Sequence, residues 1–219
     1  MGNSTVAPSL FDEAPPLKEA LQEGAFLLRG FVTEKAAELV AEIHQLLKVS
    51  PLRHMQVRGG RSMSVAMSNC GKLGWLSDQN GYRYDEIDPL TGRPWPAMPA
   101  IFLQASVAAA AEAGFADFAP DACLINRYEP GAQMGLHQDK DETNLSAPIV
   151  SVSLGLRATF LFGGTRRNDP RRRVPLESGD VVVWGAAARL VYHGIAKLQP
   201  GEHPLTGSCR YNLTFRRAR

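Results

Sequence analysis

Three residues have the side-chain types and the spacing of a mononuclear metal site. His137 and Asp139 stand two positions apart in GLHQDKDET, and His193 follows much later in LVYHGI, where it is expected to end another short strand. If Leu136 to Asp139 ends a strand, the first two side chains share a face. An isolated pair of this kind is also common as a surface ion pair. With a distant histidine on a β-sandwich, the pattern predicts the facial triad that holds Fe(II) and leaves coordination positions open.

A second set of polar residues favours Fe(II) over the main rival, Zn²⁺ hydrolysis with the same three ligands. Arg210, Asn212 and Arg216 stand at even spacings in CRYNLTFRR, so one strand presents them on one face. Buried arginines need anionic partners, and a guanidinium binds a carboxylate through two hydrogen bonds. Two such residues suit the two ends of a dicarboxylate such as 2-oxoglutarate. Asn126 and Tyr128 share a face of another strand and add hydrogen-bonding groups.

The composition predicts a soluble globular protein without membrane attachment. Of the 219 residues, 44% are hydrophobic and 21% charged, which is enough apolar material for one core. The apolar runs are shorter than a membrane span, and the first thirty residues do not resemble a secretion signal. The three cysteines are odd in number and lack CxxC spacing. Reduced thiols in a cytoplasm fit that usage, so we expect a cytoplasmic protein.

Short β-rich runs separated by turn residues fill the chain after Pro120 and predict a sandwich or barrel. The runs are ACLINRY, PIVSVSLG, ATFLFG, RVPLE, DVVVWG, RLVYHG and RYNLTFR. No long helices interleave them, which argues against a parallel α/β sheet. Before Pro120, Thr33 is expected to cap a helix with an apolar stripe, and a second helix is expected from about Met98 to Ala113. Residues 1–20 are interpreted as a loose tail.

The strongest local charge feature is TRRNDPRRR, from Thr165 to Arg173, with five arginines in nine residues. The net charge of +2 is too small to indicate a polyanionic partner by itself. On charge alone, this run is either a solvated hairpin loop or a phosphate-contacting loop, and both interpretations stay open.

Longer stretches of the sequence resemble the AlkB family of Fe(II)/2-oxoglutarate dioxygenases, most closely its bacterial members. The similarity covers about residues 20–217 and is carried by MSVAMSNCGKLGW, GYRY, PWPAMP, LINRYEPGA, LHQDKDE, PIVSVSLGL, GDVVVWG, YHGI and CRYNLTFR. It implies an α+β, mainly β fold: a double-stranded β-helix, or jelly-roll, core with N-terminal helices and a nucleotide-recognition lid. It also implies one dioxygenase domain over 21–219, with the helical support and lid at 21–118 and the catalytic core at 119–219.

The resemblance carries the family's functional residues onto positions of this sequence. The iron ligands match His137, Asp139 and His193. The 2-oxoglutarate contacts match Asn126, Tyr128, Arg210, Asn212 and Arg216. The substrate pocket matches Trp75, Tyr82, Tyr84, Asp141 and Arg167. The implied cofactor is Fe(II), and the implied co-substrates are 2-oxoglutarate and O₂.

The resemblance implies oxidative demethylation of N-alkylated nucleobases of the 1-methyladenine and 3-methylcytosine type, a direct reversal of DNA alkylation damage that releases formaldehyde, succinate and CO₂. These bases are cationic, so Trp75, interpreted as an exposed loop residue, is expected to stack on them and Asp141 to contact them. The methyl group lies on the pairing edge, so the expected substrate is alkylated single-stranded DNA, or a base flipped from a duplex. Arg166, Arg167 and Arg171–Arg173 are then expected to hold phosphates.

Other functions remain open at this point. The same chemistry could act on RNA or on a methylated protein, and the sequence does not rank DNA against RNA. A non-catalytic module that binds methylated nucleic acid would not need all three metal ligands. A zinc hydrolase would not need Arg210 and Arg216. We expect a monomer.

Overall fold

The computed structural model describes residues 17–57 and 59–219. These residues form two α-helices, α1 (Ala36–Val49) and α2 (Ala100–Glu112), and sixteen strands. In chain order the strands are β1 Lys18–Gln22, β2 Ala25–Leu28, β3 Arg53–Gln56, β4 Ser62–Gly71, β5 Gly74–Asp78, β6 Gly81–Asp85, β7 Ile87–Asp88, β8 Arg93–Pro94, β9 Ala122–Tyr128, β10 Met134–His137, β11 Ile149–Gly155, β12 Ala158–Phe162, β13 Arg172–Leu176, β14 Val181–Trp184, β15 His193–Ile195 and β16 Arg210–Arg216.

Two antiparallel sheets form the centre of the fold. The larger sheet has the strand order β1-β2-β14-β11-β16-β9-β4-β3, and the smaller sheet has the order β10-β15-β12-β13. The hairpins β5-β6 and β7-β8 are separate from both sheets. Four strands from the first half of the chain, β1 to β4, therefore extend the larger sheet. The predicted mainly β, jelly-roll fold is confirmed.

Apolar side chains pack on both faces of the larger sheet and make three layers. On the outer face, helices α1 and α2 bury a cluster that includes Leu39, Ile43, Phe102, Ile125 and Leu213. Between the two sheets lies a second cluster that includes Met67, Leu124, Phe160, Val182 and Trp184. The apolar stripe predicted for the first helix is confirmed, because its residues face the sheet. Within the described residues, neither helix is long and apolar enough to cross a membrane.

Strand β16 lies in the middle of the larger sheet and separates an apolar face from a polar one. All seven of its residues are buried. Its odd-numbered residues pack in the helix-side cluster: Tyr211, Leu213 and Phe215. Because side chains alternate along a strand, its even-numbered residues face the smaller sheet: Arg210, Asn212, Thr214 and Arg216. The predicted common face of the two arginines and Asn212 is thus present, and it points into the interior between the sheets.

The predicted helix cap at Thr33 is wrong. Thr33 begins a short 3₁₀ turn, Thr33–Lys35, and α1 follows from Ala36 without a capping side chain. A Cβ atom built on Gly179 would lie 2.2 Å from Thr33 Oγ1. The threonine side chain therefore packs against the turn between β13 and β14, a contact between segments far apart in sequence.

Two strand boundaries also differ from the prediction. The run RLVYHG is a strand only from His193, so this histidine begins β15 and does not end a strand. The preceding backbone is turned, because Val191 N–H donates to the carbonyl oxygen of Ala188. Strand β1 begins at Lys18, inside the segment interpreted as a tail, while residues 1–16 lie outside the described residues.

Candidate active site

The three predicted metal ligands meet at the edge of the smaller sheet that β10 and β15 form. His137 ends β10, His193 begins β15, and the two are direct partners in the antiparallel ladder. Asp139 lies two residues beyond β10, in a loop and not on the strand itself. One ligand atom from each side chain lies within 4.8 Å of the others. Two imidazoles and one carboxylate in this arrangement suit Fe(II) and leave coordination positions open.

Hydrogen bonds orient the two imidazoles toward Asp139. Nδ1 of His137 lies 2.9 Å from the carbonyl oxygen of Gly135, and Nδ1 of His193 lies 3.1 Å from that of Val191. When each Nδ1 carries the proton and donates it there, Nε2 presents its lone pair to a metal. The Nε2 atoms lie 3.6 and 3.9 Å from the Asp139 carboxylate oxygens.

The protonation states of the buried ligands also favour metal binding. Burial, followed by the charge of His137, lowers the pKa of His193 to about 3, so its imidazole is neutral near pH 7. Burial alone would raise the pKa of Asp139, but the positive charge of Arg216 and its hydrogen bonds to the carboxylate hold that pKa below its usual range. Neither ligand has to lose a proton when a metal binds near neutral pH.

The predicted 2-oxoglutarate residues lie opposite one another on two adjacent strands. Tyr128 of β9 pairs with Arg210 of β16, and Asn126 pairs with Asn212. The guanidinium of Arg210 lies 5.0 Å from the centre of the Tyr128 ring and donates one hydrogen bond, from Nη2 to Ser153 Oγ at 3.0 Å.

Arg210 is the residue in this group that most clearly requires a ligand. Its side chain is 1% exposed, yet its Nε and Nη1 atoms have no hydrogen-bond partner within the described residues. A buried guanidinium with two unused donors is costly, and carboxylate oxygens are strong acceptors for such charged donors. The observed surroundings therefore fit a carboxylate of 2-oxoglutarate.

Two of the residues predicted to bind 2-oxoglutarate, Arg216 and Asn212, form hydrogen bonds to other groups of the protein. Both Nε and Nη2 of Arg216 donate to Asp139 Oδ2, at 3.0 and 2.8 Å, so this arginine holds the metal ligand. The amide of Asn212 donates to Ser151 Oγ at 2.8 Å and to the carbonyl oxygen of Val152 at 2.9 Å. Its Oδ1 accepts from Asn126 and from Thr214. Asn212 is therefore fully hydrogen-bonded within the sheet.

A cavity of about 720 Å³ opens beside the triad. Four of the five predicted substrate residues line it: Trp75, Tyr82, Asp141 and Arg167. His137, Asp139 and Arg216 also line it, so the cavity reaches the ligand cluster. A second cavity of the same volume, around Lys197–His203, contains none of the three metal ligands.

Tyr84 is the substrate residue that does not line the cavity. It is half-buried, and its hydroxyl donates to Glu142 Oε1 at 2.6 Å. Tyr82 and Tyr84 are two positions apart on β6, yet Tyr82 is exposed and Tyr84 is half-buried. Burial raises the pKa of Tyr84 well above its usual value, so the phenol stays protonated.

Trp75 lies on strand β5 and not on a loop, which corrects the prediction. Its indole ring stacks on Tyr82, with 5.5 Å between the ring centres and 25° between the planes. Its Nε1–H donates to Asp141 Oδ2 at 2.9 Å. Two stacked rings with a carboxylate at their edge make a wall suited to a flat cation.

The arginines of the basic loop do not all reach toward the cavity. Arg167 donates to the carbonyl oxygen of Leu136 at 3.0 Å, at the cavity wall. Arg172, in contrast, donates to the carbonyl oxygen of Leu21 at 2.7 Å and to Glu19 at 3.0 Å. The phosphate contact predicted for Arg172 therefore conflicts with the structure, because residues of strand β1 already bind the guanidinium.

Two buried residues near the triad did not emerge from the sequence. Glu142 accepts hydrogen bonds from Tyr84 and Arg189, and it lies 3.3 Å from Arg216. Arg189 occurs in the apolar run AAARLV, where its spacing carries no signal, although a lone arginine in such a run often needs a buried partner.

Comparisons with known proteins agree with this site. The family model described as the 2OG-Fe(II) oxygenase superfamily matches residues 24–216. The chain is 58% identical over 209 residues to the alpha-ketoglutarate-dependent dioxygenase AlkB of Escherichia coli K12, which covers 95% of this chain and 97% of that protein. It is 33% identical over 133 residues to the human nucleic acid dioxygenase ALKBH1, with 59% and 33% covered.

Among solved structures, that of OsALKBH1 superimposes with a TM-score of 0.80 at 31% identity and covers 91% of this chain and 99% of that one. The resemblance predicted from the sequence is confirmed, together with the dependence on Fe(II), 2-oxoglutarate and O₂ that the family requires. The chain therefore belongs to the AlkB family within the 2OG-Fe(II) oxygenase superfamily.

Proposed function

We propose that this protein, acting as a monomer, demethylates N-alkylated nucleobases in nucleic acid with Fe(II), O₂ and 2-oxoglutarate. The observation that carries the proposal is the cavity in which the Trp75–Tyr82 stack and Asp141 face the triad. The name of its human relative states nucleic acid as that protein's substrate. 1-Methyladenine and 3-methylcytosine are flat cations, which aromatic faces and a carboxylate attract.

His137, Asp139 and His193 are assigned as the iron ligands. Bound there, Fe(II) supplies the O₂ chemistry that converts 2-oxoglutarate into succinate and CO₂ and hydroxylates the methyl carbon. The C–N bond of the hydroxymethylated base then breaks: its electron pair stays on the base nitrogen, the hydroxyl proton is released, and the carbon leaves as formaldehyde. The protein's part is to hold the ligand side chains, through the Nδ1 hydrogen bonds and Arg216, and to position the methyl group.

Arg210 is assigned to one carboxylate of 2-oxoglutarate, which would accept a charge-assisted hydrogen bond from one of its two unused donors, Nε or Nη1. Asn126, Tyr128 and Asn212 are assigned to the walls of that subsite, and Arg216 to its metal-facing end. A zinc hydrolase would not require the Arg210 donors.

The proposed substrate strand is alkylated single-stranded DNA, because the methyl group occupies the pairing edge and an unpaired base needs no flipping. The test is succinate formation with matched methylated oligonucleotides as single-stranded DNA, duplex DNA and RNA, and with a methylated peptide. Single-stranded DNA is expected to stimulate succinate formation most and the peptide not at all. Higher stimulation by RNA would move the proposal to RNA, and stimulation by the peptide alone would overturn it.

Trp75→Ala is expected to cut kcat/KM on a methylated strand roughly 5- to 140-fold, since stacking contributes about 1–3 kcal/mol per base. Trp75→Phe retains a stacking ring and loses only the hydrogen bond to Asp141, so its kcat/KM should lie between those of Trp75→Ala and wild type. Steady-state formaldehyde release at several oligonucleotide concentrations measures both. Equal activity of Trp75→Ala and wild type would show that this ring does not contact the base.

The basic loop is expected to hold the strand's phosphates through Arg166, Arg167, Arg171 and Arg173. Changing Arg166, Arg171 and Arg173 to Gln should weaken methylated and unmethylated single strands alike. It should also flatten the plot of log affinity against log salt by about 0.7 for each phosphate that the loop no longer neutralises. Arg172→Gln is the matched control, because its guanidinium is bound to β1. Fluorescence anisotropy at several salt concentrations measures the slopes, and an unchanged slope in the triple variant would make the loop a solvated hairpin.

A further inference from the structure

A buried arginine joins the two chain segments that carry the metal ligands. Arg189 lies shortly before His193, and its side chain is 4% exposed. Its guanidinium spans to the loop that follows β10: Nη1 donates to the carbonyl oxygen of Asp139 at 2.6 Å, Nη2 to Glu142 Oε2 at 3.0 Å, and Nε to the carbonyl oxygen of Ala147 at 2.9 Å. All three nitrogens of the guanidinium therefore donate a hydrogen bond.

The loop that receives these hydrogen bonds has no regular structure of its own. Residues 138–148 lie between β10 and β11 and form neither helix nor strand. The position of Asp139 is thus set by contacts with other parts of the chain. A second contact also joins this loop to the segment before His193: Gln138 Nε2 donates to the carbonyl oxygen of Leu190 at 2.6 Å. Two adjacent residues, Arg189 and Leu190, hold the Asp139 loop from the His193 side.

The charges around Asp139 are balanced by two arginines. Arg216 donates to Asp139 and lies 3.3 Å from Glu142, while Arg189 pairs with Glu142 on its other oxygen. All four side chains are buried. Without Arg189, the buried Glu142 carboxylate would have Arg216 as its remaining cationic partner and would compete with Asp139 for it.

We propose that Arg189 is a positioning residue that holds the Asp139 loop against the segment carrying His193 and thereby sets the metal affinity of the site. The inference rests on the assignment of the three metal ligands in the proposed function and does not depend on which substrate is demethylated.

The test is Mn(II) binding, used as an oxygen-insensitive probe and followed by electron paramagnetic resonance of the free ion. Arg189→Met keeps the side-chain volume but removes the charge and all three donors. It is expected to weaken Mn(II) binding roughly 10- to 100-fold, as the loss of groups that orient metal ligands does elsewhere. Arg189→Lys keeps a charge opposite Glu142 without the planar fork, so its Mn(II) affinity should lie between those of Met and wild type.

Arg29→Met is the matched control, because Arg29 also pairs with a buried aspartate, Asp180, at 2.9 Å and donates to the carbonyl oxygen of Pro175 at 2.7 Å. It should lower the Tm but leave the Mn(II) affinity within about twofold of wild type, since it lies outside the metal site. Mn(II) affinities are compared at a temperature below the Tm of each variant. If Arg189→Met does not fold, the Mn(II) affinity of Arg189→Lys tests the inference.

Wild-type Mn(II) affinity in the folded Arg189 variants, or an equal loss in Arg29→Met, would overturn the inference. If Mn(II) binding depends on Arg189 while the wild-type enzyme demethylates no oligonucleotide, the proposed substrate is wrong and the inference stands. If the enzyme demethylates oligonucleotides but Arg189 does not affect Mn(II) binding, the inference alone fails.

Discussion

Replacing any one of the three proposed iron ligands is expected to reduce 2-oxoglutarate turnover to the background without enzyme. The variants are His137→Ala, Asp139→Asn and His193→Ala. A facial triad has only three protein ligands, so the loss of one leaves too few to hold the metal. Asparagine is chosen at position 139 because it keeps the volume beside Arg216 while removing the charge. The measurement is succinate formation under Fe(II), together with the iron content of the purified protein.

His54→Ala is the control for a histidine that is exposed and outside the cluster; its Nδ1 lies 2.8 Å from the carbonyl oxygen of Met63. It should keep wild-type iron content and turnover. Near-full activity with normal iron content in any of the three ligand variants would remove that residue from the ligand set. Because the ligand atoms of all three meet within 4.8 Å, we expect no difference in outcome among them.

Arg210→Ala is expected to raise the KM for 2-oxoglutarate about ten- to hundred-fold and to change the KM for the oligonucleotide little. A charge-assisted hydrogen bond contributes about 1.5–3 kcal/mol, and Arg210 has two donors without a partner among the described residues. Arg210→Met, which fills the space left by the side chain, should show the same KM effect, and this would separate ligand binding from packing. Arg210→Lys keeps the charge but not the fork, so an intermediate KM is expected.

Arg127→Ala is the matched control, because Arg127 stands between Asn126 and Tyr128 on β9 and its side chain points to the opposite face of the sheet. Its KM for 2-oxoglutarate should equal that of wild type. An unchanged KM in Arg210→Ala and Arg210→Met would contradict the co-substrate assignment, since removing the guanidinium would then cost no binding.

Features that depend on one chain segment were predictable from the sequence. The even spacing of Arg210, Asn212 and Arg216 placed them on one face, because alternation is a local property of any strand. The apolar stripe of α1 followed in the same way from its helical period. The convergence of His137 with His193 needed the sandwich as an additional premise, since their pairing joins strands distant in sequence.

Features that depend on contacts between distant segments were not predictable. Arg172 and Arg167 look alike in the sequence, yet one is bound to β1 and the other lies at the cavity wall. Tyr84 has the spacing of a cavity residue but donates to Glu142. The partners of Arg189 are three groups in a loop with no regular structure, so no local period could indicate them.

The central claim is that the protein oxidises the methyl group of a damaged base and couples this to 2-oxoglutarate. The most direct measurement is the intact mass of a single-stranded DNA oligonucleotide carrying one 1-methyladenine, after incubation with the Fe(II)-loaded protein, O₂ and 2-oxoglutarate. The oligonucleotide is expected to lose the mass of one CH₂ group, with one formaldehyde and one succinate formed per base repaired. An unchanged oligonucleotide mass, from protein that still converts 2-oxoglutarate into succinate, would contradict the claim.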